Sequence, residues 1–135
     1  MSALLSRWRE ILIGVLLGAA GVAVGQLLLP ASWRLWFEAA LVAWIGAIYI
    51  GFGLVSGTRS AVIEVAGGTV MLFFAVIGGT SNPWLLPLAL LLHAGWDAAH
   101  HDGRISKAVP RWYPSFCAAA DVVLAGLYAG VHRAT

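Results

Sequence analysis

The sequence predicts an all-α fold, an integral membrane bundle of five transmembrane helices, and three observations carry that expectation. Of the 135 residues, 61% are hydrophobic and only 10% are charged, whereas soluble domains carry roughly 25% charged residues. Five apolar runs, at about 11–29, 35–56, 61–79, 84–101 and 115–131, are separated by short polar breaks. Each run approaches the roughly 20 residues that cross a bilayer as a helix, and none shows the strict alternation that lipid-facing strands require. At this length a single domain, 1–135, is expected.

Arg7 and Arg9 precede the first run in the manner of a signal peptide. The run then continues to Leu29, well beyond the roughly 7–15 apolar residues of a signal segment, which predicts a retained span. Gly14, Gly18, Gly21 and Gly25 fall on one face of it, a smooth stripe that admits a close helix neighbour and suits either internal packing or a homo-oligomer. Pro30 and Ser32 break the chain before the second run, which carries Glu38 near its start and Tyr49 further along. Ser56 to Arg59 form a turn, and Ser60 is placed to cap the third helix. Glu64 lies one turn inside that helix, where a carboxylate complements the helix dipole or serves as a ligand. Pro83 suits the first turn of the fourth helix, and Trp84 suits the membrane interface. Asp102 and Gly103 end that helix. The basic loop from Arg104 to Pro114, with two prolines and two aromatics, is expected to lie on the membrane surface. The last run contains Cys117 and Asp121 one turn apart.

The net charge of +2 has a topological meaning and does not point to nucleic acid. Arg7, Arg9, Arg59, Arg104, Lys107 and Arg111 would share one side of the bilayer, against Arg34 and Arg133 on the other. Six against two predicts a cytoplasmic N-terminus and an outer C-terminus in the cell's inner (plasma) membrane. The single cysteine excludes an intrachain disulfide.

The chemistry is expected in Leu92-His93-Ala94-Gly95-Trp96-Asp97-Ala98-Ala99-His100-His101. Ionisable groups inside a membrane helix are costly and usually functional. His93, Asp97, His100 and His101 fall within about 100° of one helix surface. On a depth ruler of about 1.5 Å per residue, Asp121 comes level with His93 and Glu64 with Asp97, and Tyr49 approaches the same level. Glu38 and Gln26 belong to the opposite leaflet. A divalent metal, zinc, iron or manganese, would turn buried carboxylates and imidazoles into ligands, with His93, Asp97, His100, His101, Asp121 and Glu64 as candidates. Cys117 reads as a small packing residue.

The stretch from His93 through Trp96, Asp97, His100 and His101, with Val109 to Pro114, Cys117 and Asp121, resembles a small uncharacterised family of bacterial multi-pass membrane proteins. That resemblance covers most of the chain and implies no activity. Asp97-Ala98-Ala99-His100-His101 is also weakly similar to the H-x-x-H-H box of membrane fatty-acid hydroxylases and desaturases, with aspartate in place of the leading histidine. Four histidines cannot supply the eight-histidine di-iron centre which that likeness implies, so it does not assign the chain.

The resulting expectation is a metal site in the cytoplasmic leaflet of the lipid bilayer, acting hydrolytically or oxidatively on a lipophilic small molecule. In the hydrolytic version whichever of Glu64 and Asp121 is not a ligand would act as general base, and in the oxidative version Tyr49 would support iron. Proton-coupled or metal-ion transport is one alternative, and a non-catalytic scaffold with interhelical polar locks is another.

Overall fold

The computed structural model describes residues 7–135, and every described element is helical. Helix α1 runs Trp8–Ala23 and continues as a π-helical turn, Val24–Leu28. It is followed by α2 (Ala31–Leu54), α3 (Thr58–Thr80), α4 (Leu85–His100) and α5 (Tyr113–Ala134). Four segments, Trp8–Leu28, Ala31–Leu54, Thr58–Thr80 and Tyr113–Ala134, are long and apolar enough to cross a membrane.

The fourth run departs from its expected span of 84–101. Helix α4 has 16 residues, about 24 Å of rise, which is short of a hydrocarbon core of about 30 Å. Its end is set by the backbone. His101 leaves the helix at φ −54°, ψ 132°, then Asp102 and Gly103 adopt positive φ, a conformation that reverses the chain. At the other end of the loop, α5 begins at Tyr113 rather than Ser115. Pro114 sits in its first turn, where a missing N–H leaves no bond unmade.

Helix α1 packs on α5, α5 on α4, and α2 on α3, with α4 also touching α2 and α3. The glycine stripe explains the first of these contacts. A side chain at Gly14 would meet the Phe116 carbonyl oxygen, and one at Gly18 would come within 2.8 Å of the Ala120 carbonyl oxygen. Gly25 in turn faces the Phe37 ring. Of the two uses expected for Gly14, Gly18, Gly21 and Gly25, the structure shows packing within the chain. Backbones can approach this closely only without Cβ atoms, and here the approach covers the stripe within the chain.

An apolar core of Val22, Val42, Met71, Leu86, Leu90, Leu124 and Tyr128 fills the middle of the bundle. The outward face is equally apolar, with Leu16 60%, Trp44 69% and Phe73 64% exposed. Large side chains bared in this way fit a lipid solvent. A second cluster, Tyr49, Val109, Tyr113 and Cys117, closes one end of the bundle. Val109 brings the expected surface loop inward at this point. Arg7 ties the loop down, pairing with Asp102 at 2.8 Å and bonding the Arg111 carbonyl oxygen.

Candidate metal centre

Two pairs of residues, each one helical turn apart, face each other across the α4–α5 contact: His93 and Asp97 on α4, Cys117 and Asp121 on α5. One potential ligand atom from each of the four lies within 4.8 Å of the others, and all four residues are buried. His93 Nδ1 is hydrogen-bonded to Asp121 Oδ2 at 2.7 Å and lies 3.6 Å from Asp97 Oδ2. The Cys117 thiol is 4.0 Å from Asp121 Oδ2. From α2, the Tyr49 hydroxyl donates to Asp97 Oδ1, so a third helix orients that carboxylate.

The electrostatics of this group are unbalanced. Asp97 and Asp121 are fully buried, and among the described residues His93 is the only basic side chain paired with them. Among the described residues, His93 Nε2, Asp97 Oδ2 and Asp121 Oδ1 are enclosed without a hydrogen-bond partner. Buried polar atoms are rarely left unpaired because the lost hydration is not replaced. A cation would resolve the imbalance, because these four residues could hold one.

The remaining candidates are placed differently. His100 and Glu64 form a separate pair. His100 donates Nδ1–H to the Trp96 carbonyl oxygen at 2.9 Å, which leaves Nε2 facing Glu64 Oε1 at 3.0 Å. That first bond fixes the tautomer. Both residues are almost wholly buried. Gly53 makes room for them, since a Cβ there would lie 2.8 Å from the Glu64 Cβ. The Tyr49 ring stands edge-on between the two groups, its centroid 5.2 Å from those of both His93 and His100.

His101 joins neither group. Its side chain is 36% exposed and turns to Asp102 at 3.0 Å, because the helix ends one residue before it. Cys117, read from the sequence as packing, belongs to the central group. Its signal was a spacing: it precedes Asp121 by one turn, as His93 precedes Asp97. Glu38 lies at the far end, paired with His132 at 3.1 Å.

His93 also forms part of the wall of a groove of about 160 Å³ between α3 and α4, with Gly67, Val70, Met71, Phe74, Leu92 and Trp96. Apart from the imidazole, that lining is apolar.

Residues 9–132 match the family described as "Family of unknown function (DUF6010)", and the chain belongs to that family. No curated protein and no solved structure matches.

Proposed function

We propose that this member of the DUF6010 family is a divalent-metal-dependent membrane enzyme acting hydrolytically on a lipophilic substrate. The observation that carries the proposal is the convergence of His93, Asp97, Cys117 and Asp121, with two carboxylate oxygens and an imidazole nitrogen buried and unpartnered. A set containing imidazole and thiol favours zinc or ferrous iron over manganese, which prefers oxygen. His93, Asp97, Cys117 and Asp121 would hold the ion, which would supply Lewis-acid activation of a carbonyl or phosphoryl group and of water.

Each neighbouring residue has a part. Tyr49 positions Asp97 through its hydroxyl. The Glu64–His100 pair, behind the Tyr49 ring, locks α3 to α4 beside the centre. Hydrolysis is favoured over oxygen chemistry because iron oxygenases need two imidazoles beside a carboxylate. Here His100 Nε2, the second imidazole nitrogen, is engaged by Glu64. The α3–α4 groove would admit substrate laterally from the bilayer to His93. All five helices would span or enter the membrane as one domain, N-terminus cytoplasmic, which places the centre in the cytoplasmic half. Transport fits less well, because the apolar layer of Val42, Met71, Leu86, Leu90 and Leu124 separates the polar groups at the two ends.

The test is elemental analysis of detergent-purified protein beside His93→Ala and Asp97→Ala, followed by turnover assays on lipid esters and phosphoesters. Near-stoichiometric zinc or iron, lost in both variants, together with metal-dependent hydrolysis, is expected. Trace metal in the wild type, unchanged by either substitution, would sink the metal centre. Full metal without turnover on any substrate would make it a structural site.

A further inference from the structure

The end of the bundle opposite the His93 group holds a second polar site. A cavity of about 280 Å³ is lined by Gln26, Arg34, Glu38 and His132, with Ala31 and Pro83 at its edge. Glu38 is 2% exposed, and its Oε1 is 3.1 Å from His132 Nε2. The His132 ring is in turn backed by Trp84, with centroids 5.7 Å apart. Among the described residues Arg34 directs only its Nε–H to a protein acceptor, the Leu29 carbonyl oxygen at 3.2 Å. Gln26 has no side-chain partner among the described residues, and it is carried by the π-helical turn Val24–Leu28. Such turns re-aim side chains and recur at functional sites.

The decisive feature is a pair that does not form. Arg34 and Glu38 lie one turn apart on the same face of α2, the spacing at which opposite charges ordinarily meet. Instead Arg34 bonds a carbonyl, Glu38 takes His132, and both line the cavity between them. Ala31, the first residue of α2, also lines it, so the positive end of that helix dipole reinforces Arg34. One wall therefore attracts an anion and the floor attracts a cation.

We propose that this cavity binds the phosphoethanolamine group, a phosphate joined to a primary ammonium. The Arg34 guanidinium, the Gln26 amide and the start of α2 take the phosphate. Glu38 accepts from the ammonium, which a quaternary choline cannot match because it has no N–H to donate. The exposed Trp33, Trp36 and Trp84 nearby are the residue type that settles at headgroup depth. This site shares no residue with the metal centre, so the two proposals stand or fall separately.

The experiment is native mass spectrometry of purified protein equilibrated with an equal mixture of phosphatidylethanolamine, phosphatidylcholine and phosphatidylglycerol. The wild type should retain phosphatidylethanolamine by roughly tenfold over the other two, the order of one charge-assisted hydrogen bond. Glu38→Gln should remove that preference, and Arg34→Met should reduce retention of all three. Arg34 is only half-buried, so its variant tests the site even if Glu38→Gln fails to fold. Equal retention by the wild type, or a preference that survives both substitutions, overturns the proposal. Soluble phosphoethanolamine that displaces the lipid would identify the headgroup as sufficient. Retention of the lipid against it would assign the intact lipid, and the site stands in either case.

Discussion

Tyr49 touches both the central group and the Glu64–His100 pair, which makes it the most informative single residue. Its hydroxyl fixes Asp97, and its ring separates His93 from His100. A group that orients a ligand without binding metal typically contributes about 10–100-fold to affinity. Tyr49→Phe should therefore weaken zinc binding by about 10–100-fold in a chelator competition while the protein stays folded. Glu64→Gln should keep its metal, because Glu64 meets His100 and not the central group. Equal metal loss in Glu64→Gln and His93→Ala, measured by elemental analysis, would place Glu64 among the ligands instead. Cys117→Ser reports on the fourth donor. In cobalt-substituted protein the thiolate-to-metal charge-transfer band should vanish while one bound cobalt remains, since oxygen replaces sulfur.

At the scale of elements, the glycines of α1 set how close α5 can come, and α5 carries half of the central group. Gly14 and Gly18 abut backbone carbonyls, which cannot move aside as a flexible side chain can. Gly18→Val should destabilise the protein by roughly 1–3 kcal/mol, the usual cost of overpacking, read as an earlier midpoint in detergent denaturation. Gly126→Val and Gly130→Val should change little, because nothing lies within 4 Å of a Cβ at either position. A matching loss in all of these variants would contradict the packing account. The short α4 follows from element ends. Its apolar run and its stop at Asp102 and Gly103 were plain in the sequence, and the left-handed backbone there ends the helix at His100 and leaves His101 outside the bundle.

For the whole molecule, the proposed orientation puts the Arg7–Asp102 tie and the basic loop on the cytoplasmic side. Reporter fusions at the C-terminus should be active only as outer-face reporters, and a cytoplasmic signal there would reverse the assignment of both ends. The two polar groups would then exchange leaflets, with an apolar layer still between them.

Apolar run length and the charge deficit already determined the helical, lipid-facing character of this chain, because burying backbone in hydrocarbon leaves few alternatives to helices. Helical periodicity likewise placed His93, Asp97 and His100 on one face, and depth matched Asp121 to His93, since both follow from a fixed rise and turn per residue. Partnership was decided only by tertiary structure. Periodicity within one helix does not state which neighbour it faces, how far that neighbour is rotated, or where a loop ends the helix. Hence Cys117 joined His93, Asp97 and Asp121, while Glu64 drew His100 away. His132 reached Glu38 across 94 residues of chain, a pairing that no local spacing encodes.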